Sequence, residues 1–308
     1  TTFPVDTLEK VLRLIRMLDL VSRHPFLGTR LALKGGTAIN LFFRSAPRLS
    51  VDLDFNYIGT GDRPGMLREK PDVERALEQV AAGEGYQLQR GPEEHAGRKL
   101  YLGYWNAIGA QDRIEVDLNY LFRVPLAMPE RLTGWTPDPD VPCRGLILGR
   151  NEVMAGKLFA LLERVAARDL YDAADFAQAP PEDPQAFRRL FIVLSGVLPR
   201  PLTEYDLRHL RGYSQADLDR ELVPFLRSGE PVTPATLETQ ASQVLEPLLT
   251  LNEREREYVE CLQWGEFRPE LVVNEEPELL DRVRRHPALL WKAENARKRP
   301  KPEKPRRP

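Results

Sequence analysis

The sequence predicts an α+β protein: a small mixed sheet with helices over residues 1–150, followed by a helical bundle over 151–296. Three observations carry this expectation. Short runs with a two-residue apolar/polar period alternate with helical-period runs before residue 150, whereas nearly every run after it has helical period. At 308 residues the chain is also longer than one compact core usually spans. Residues 297–308, RKRPKPEKPRRP, hold seven bases and one acid among prolines, a composition that cannot build a core and reads as a disordered basic tail.

Taken in order, residues 8–21 place Leu8, Val11, Leu12, Ile15 and Leu18 on one helical face. RLALK (30–34) is a strand that enters two glycines, and TAINLFF is a helix that leaves them. LSVDLDFNY (49–57) alternates strictly, with Leu49, Val51, Leu53 and Phe55 on one face and Ser50, Asp52, Asp54 and Asn56 on the other. Pro71 is expected to open a helix that runs to about Ala82. Two further strands follow, RKLYLGYWNA (98–107) and RIEVDLNYL (113–121), the second with Glu115, Asp117 and Asn119 on its polar face. Beyond the loop at 136–142, helices are expected in NEVMAGKLFALLERV, RDLYDAADFAQ, PQAFRRLFIVLSGVL and TPATLETQASQVLEPLL.

Composition excludes several classes. No stretch approaches the roughly 18 apolar residues a membrane-spanning helix needs, and the first twenty residues have no secretory signal pattern, so a soluble, cytoplasmic protein is expected. Cys143 and Cys261 form no CxxC pair and are expected to be buried, reduced thiols, which leaves no zinc site of the usual spacing. Net charge is −2, and the basic tail makes the body of the chain more acidic than that figure. The tail reads either as a solubility device or as a hook for nucleic-acid phosphates. The four tryptophans and four histidines read as packing residues.

The segment KGGTAINLFFRSAPRLSVDLDF (34–55) concentrates the chemistry. Two glycines between a strand and a helix allow a tight turn with open N–H groups facing a positive dipole end, a place suited to phosphate as well as a simple turn. Thr37 adds a hydroxyl there and Lys34 a cation. Asp52 and Asp54, two apart on a strand, project from one face about 7 Å apart and repel unless a cation intervenes. Mg²⁺ takes carboxylates together with phosphate oxygens. A third acid from a neighbouring strand would complete the set; Asp117 is the candidate and Glu115 the competitor. Lys157, inside the apolar run MAGKLFALL, requires a partner or a ligand. Arg164, Arg168, Asp169 and Asp172 share helical faces, where Arg164 reads as an ordinary surface ion pair.

With these residues in hand, LALKGGTAINL, RLSVDLDF and KLFALLERVAARDLYDAADF resemble the AbiEii/AbiGii (MenT-like) nucleotidyltransferase toxins of the DNA polymerase β-type nucleotidyltransferase superfamily. The resemblance spans about residues 30–176. Its signatures are the Lys-Gly-Gly element, an Arg-x-Ser-x-Asp-x-Asp strand, and a helical lysine followed by Arg-Asp-x-x-Asp. It implies a polymerase β-type domain in 1–150, with Lys34, Gly35, Gly36 and Thr37 cradling NTP phosphates. Asp52, Asp54 and Asp117 would bind Mg²⁺ (or Mn²⁺), Lys157 would reach the triphosphate, and Asp172 would orient it or contact the base. It further implies NMP transfer from an NTP to an RNA acceptor, a tRNA 3′ end, with growth arrest relieved by a cognate antitoxin encoded alongside. Ser50, beside the metal strand, is a candidate for inactivating modification. The alternatives weighed are a DxD glycosyltransferase and a non-enzymatic RNA- or protein-binding module.

Overall fold

A computed structural model describes the chain except residues 1, 2, 45, 95, 165, 211, 228, 230 and 299–308, with backbone alone at Glu93, Glu94 and His209. The expected tail therefore lies almost wholly outside the described residues; its first two, Arg297 and Lys298, end the last helix instead. The chain runs through α1 (Val5–Arg23), β1 (Leu31–Lys34), α2 (Gly35–Ala38, continued by a wider π turn over Ile39–Phe43), β2 (Asp52–Tyr57) and α3 (Arg63–Gly83). It continues through β3 (Gln87–Glu94), β4 (Gly97–Trp105), β5 (Gln111–Asn119), β6 (Glu130–Thr133) and β7 (Arg144–Ile147). The second half is helical: α4 (Arg150–Glu163), α5 (Ala167–Gln178), α6 (Pro184–Leu194), α7 (Gln215–Glu221), α8 (Pro234–Leu249), α9 (Glu253–Gln263), α10 (Glu270–Val273), α11 (Pro277–Arg284) and α12 (Pro287–Lys298).

The seven strands form one mixed sheet in the order β3-β4-β5-β2-β1-β7-β6. β2 pairs antiparallel with β1 and parallel with β5, and β1 pairs parallel with β7. Strand alternation sorts the sheet into two faces. Leu33, Leu53, Phe55, Val116, Leu118, Leu100 and Leu102 are fully buried on the face covered by α1 and α3. The other face carries Lys34, Asp52, Asp54, Lys99, Glu115 and Asp117, and α2 and α4 close over one end of it.

Several expectations are corrected. The strand expected from residue 49 starts at Asp52, because the Leu49 N–H donates to the Phe225 carbonyl (2.8 Å) and Arg48 bridges to Leu226, so these two residues pair with the helical half rather than with the sheet. Pro71 does not open a helix but sits inside α3, which starts eight residues earlier where Asp62 caps the Gly65 N–H (2.7 Å) and Pro64 occupies the first turn. The helix tolerates the lost hydrogen bond because Met66, Val73, Leu77 and Ala81 bury one stripe against the sheet. β3, β6 and β7 have no counterpart in the sequence reading. Trp105 and Trp291 are half or more exposed (59% and 50%) rather than packed, and Cys261 is only half-buried, whereas burial pushes the Cys143 thiol up to about 12.

Since Pro71 costs α3 a hydrogen bond, Pro71→Ala should raise the unfolding free energy by about 2 kcal/mol, the helix-propensity gain less the unfolded-state entropy that proline had removed. Urea denaturation measures this, and an unchanged midpoint would contradict it.

Candidate active site

β1 ends at Lys34 in extended backbone, and Gly35 then turns the chain with φ +72°, a conformation that favours glycine. A Cβ on Gly35 would fall 2.2 Å from Asp54 Oδ2, so the turn is pressed directly on that carboxylate. A Cβ on Gly36 would fall 2.8 Å from Ser50 Oγ and 3.0 Å from Arg48 Nη2. The glycine turn and the Asp54 carboxylate are therefore in direct contact. The Thr37 hydroxyl is fully buried and donates to the Asp52 carbonyl at 2.6 Å, and Asn40 Nδ2 donates to the Gly36 carbonyl at 2.8 Å. Thr37 thus fastens the turn to β2, and its hydroxyl proton is already committed. Ser50 is buried beneath Gly36, so any modification of it requires the turn to lift.

Register decides the acids. Asp52 lies opposite Glu115, and Asp54 lies opposite both Asp117 and Lys34. Lys99, opposite Asp117 on β4, holds Glu115 at 2.5 Å and Asp117 at 3.8 Å. Among the described residues no three of His, Cys, Asp and Glu come together as a ready-made metal site. Asp117 nonetheless lies directly across from Asp54 on the same sheet face, with Lys99 between it and Glu115. Asp52 and Asp54 remain as a pair. Burial and then the charge of Asp54 push the Asp52 carboxyl above its usual range, against the pull of Arg168.

The helical half faces this pair with cations. α5 carries Asp169, Asp172 and Asp175 at three-residue spacing, each no more than 9% exposed. Arg48 is 2% exposed and grips Asp172 with both arms, Nε to Oδ1 at 2.7 Å and Nη2 to Oδ2 at 2.6 Å. Lys157 on α4 reaches Asp169 at 2.7 Å and Asp172 at 2.9 Å. The protein thus supplies the buried lysine with its own partners, and its burial does not by itself call for a bound triphosphate. Arg164 donates to Asp169 (2.8 Å), and Arg44 to Asp175 (2.7 Å). Burial opposes ionisation of Asp172, but Arg48 and Lys157 outweigh it and hold the carboxyl below its usual range; Asp169 is held low in the same way by Lys157 and Arg164.

Three participants escape the sequence reading. Arg48 stands in the Arg-x-Ser-x-Asp-x-Asp pattern without a role there, and Asp169 in Arg-Asp-x-x-Asp likewise. Arg164 is the exposed ion-pair residue expected, 69% exposed on buried Asp169, and it also feels the charges of Asp54 and Asp52. Arg168 lies over the Phe225 ring at 5.1 Å and acts electrostatically on Asp52. Tyr171 and Phe176 are buried, as expected of core aromatics.

A glycine turn set on an acid pair, with buried cations behind it, is the constellation of a nucleotidyltransferase, and the chain belongs to the nucleotidyltransferase toxins of type IV toxin-antitoxin systems. The family model for the AbiEii nucleotidyl transferase toxin matches residues 19–295. MenT4, a nucleotidyltransferase toxin from Mycobacterium tuberculosis H37Rv, has the same fold, with TM-score 0.64 and 19% identity over 91% of this chain and 92% of that one. JHP933 from Helicobacter pylori matches at TM-score 0.47 and 15% identity, covering 85% of this chain and 99% of that one. No curated protein sequence matches significantly. Family membership displaces the glycosyltransferase and non-enzymatic readings. It also implies a nucleotide substrate and a cognate antitoxin. No helix among the described residues is long and apolar enough to cross a membrane.

Two variants test the geometry. Gly35→Ala imposes both a strained φ and a clash with Asp54, and should abolish nucleotidyl transfer while leaving the sheet folded by circular dichroism. Asp172→Asn leaves Arg48 and Lys157 short of one buried counter-charge and should cost about 3–5 kcal/mol in urea denaturation. Because the Asp172 carboxyl is depressed in the fold, its stabilisation is complete above the unfolded-state value near 4 and is lost as pH falls from there through the folded value. The stability difference between the wild type and Asp172→Asn should therefore shrink only on that acid side; a constant difference down to pH 2 would contradict the network.

Proposed function

We propose that the chain transfers NMP from an NTP to the 3′ end of an RNA acceptor, a tRNA, in the cytoplasm. The transfer arrests growth until the cognate antitoxin counters it. The observation that carries this reading is the contact of the Gly35 turn with the Asp54 carboxylate, with Asp52 on the same strand face. The backbone N–H groups of Gly35 and Gly36 and the Lys34 ammonium receive the triphosphate. Thr37 holds the turn in register with Asp52 through its hydrogen bond.

Asp52 and Asp54 fit a divalent cation: two carboxylates two apart on one strand, with burial and then the charge of Asp54 raising Asp52, leave coordination positions for phosphate oxygens and water. Mg²⁺ or Mn²⁺ bound there would offset the charge that develops at the α-phosphorus. Asp117 and Glu115 act behind this pair through Lys99. Arg164 and Arg168 orient the anionic substrate from the opposite side. Asp172 is a positioning residue, since it fixes Lys157 and Arg48 and is itself 2% exposed. The acceptor hydroxyl attacks the α-phosphorus in line; its new O–P bond forms as the bond to pyrophosphate breaks. A phosphate on Ser50 would press between Gly36 and Arg48 and disable the turn.

Incubation of the purified protein with each α-labelled NTP and total RNA tests the reading. Label should enter RNA, chelation by EDTA should stop it, and Mg²⁺ should restore it. Asp52→Asn and Lys157→Ala should each lower transfer at least about a hundredfold, the scale expected when several kcal/mol of transition-state stabilisation is removed. Full transfer by soluble, folded Asp52→Asn would overturn the assignment.

A further inference from the structure

We infer that the polar sheet face continues outward from Asp52 into a docking groove for the single-stranded 3′ end of the acceptor, with a base seated over Gly103. The inference rests on the RNA-acceptor reading above. Asp52, Glu115, Tyr101 and Gln89 form one row of paired residues across β2, β5, β4 and β3. At about 4.8 Å per strand, Tyr101 stands about 10 Å from Asp52, within the last nucleotides of a strand whose 3′ hydroxyl is at the acid pair.

Beside that row lies a groove of about 490 Å³, lined by Gln87, Gln89, Tyr101, Trp105 and Arg113 with Gly103 as its floor. Tyr101, Gly103 and Trp105 point from the same side of β4, so the glycine leaves an opening between two aromatic rings about 13 Å apart along the strand. Arg113 pairs with Gly103 from β5, and Gln87 pairs with it from β3. The Arg113 guanidinium lies 4.5 Å from the Tyr101 ring centre, and Trp105 is 59% exposed. The exposed Trp105 ring and the Arg113 guanidinium stacked on half-buried Tyr101 offer stacking surfaces to a base, while the glutamine amides meet base edges.

The chemistry favours this occupant over a protein or a duplex. Asp112, the one acid in the lining, is spent on Lys10 (3.0 Å) and the Tyr104 hydroxyl (2.9 Å), and Glu115 and Asp117 are held by Lys99. Arg113 is therefore the charge that a phosphate meets in the groove. A polar slot between two rings suits an unstacked base; an apolar anchor or a helical groove partner has no matching pocket there.

The test measures transfer kinetics with labelled NTP and a single-stranded RNA ending in a free 3′ hydroxyl, alongside fluorescence anisotropy of the same RNA. Gly103→Val fills the slot without removing any group, Trp105→Ala removes one ring, and Arg113→Glu reverses an exposed charge. Each should raise the KM for RNA at least about fivefold, the lower end expected for one lost stacking contact, while the KM for NTP stays unchanged. Asp52→Asn should still bind the RNA. If the wild type labels RNA but all three variants keep its KM for RNA, the groove is wrong and the proposed function stands. If the wild type labels no RNA at all, both fall together.

Discussion

The paired hydrogen bonds between Arg48 and Asp172 join the two halves of the chain, and the active-site geometry depends on them. Arg48 precedes the strand that carries Asp52 and Asp54, and Asp172 sits in the middle of α5. Both are 2% exposed. Bringing two charges into such a place costs several kcal/mol each, which only close, bidentate geometry repays. Net stabilisation is therefore small, and what the pair supplies is register: it fixes one height of α5 against one residue of the sheet. Asp172 also accepts from Lys157, so α4 is set by the same carboxylate.

The glycine turn reads this arrangement from the other side. Gly36 approaches Arg48 Nη2 and Ser50 Oγ so closely that a methyl group would not fit. Turn, arginine, aspartate and lysine thus form one continuous set of contacts running from the central strands of the sheet into the bundle. Thr37 and Asn40 stitch the turn to β2 and to itself, and the wider π turn over Ile39–Phe43 lets the helix bend away after four residues. Arg48, Asp172 and Lys157 each have a charged partner, and one missing partner would leave a buried charge.

How much of this was legible follows from the range of each signal. α1, α4 and α5 were readable because their apolar stripes are local and long. Asp52 and Asp54 were readable because strand alternation needs only two residues of separation. β3 escaped because QLQRGPEE has one large apolar residue and contains both glycine and proline. β6 and β7 are four residues each, too short for a period. Pro71 misled because proline marks a helix start far more often than an interior, and only packing on the sheet shows that α3 outlasts it. Lys99 could not be tied to Asp117 from the sequence, since that contact depends on the β4–β5 register. Arg48 was visible as part of a pattern, but its role is defined by a residue 124 positions away.

The acid pair lies on β2, whereas the cations around it are held by the carboxylates of α5. In the proposed reaction the NTP, a polyanion, must approach Asp52 and Asp54, two carboxylates that repel it. Were the cations on the same strand, they would pair with those acids and quench them, as Lys99 does for Glu115. α5 prevents this by holding its own acids, Asp169, Asp172 and Asp175, against Lys157, Arg164, Arg48 and Arg44. The bases are thereby anchored from behind, and Arg164 still carries its influence to Asp52 and Asp54 across the gap. The acid pair on β2 thus stays apart from the cations that the α5 carboxylates hold, and those cations are left facing it rather than paired with it.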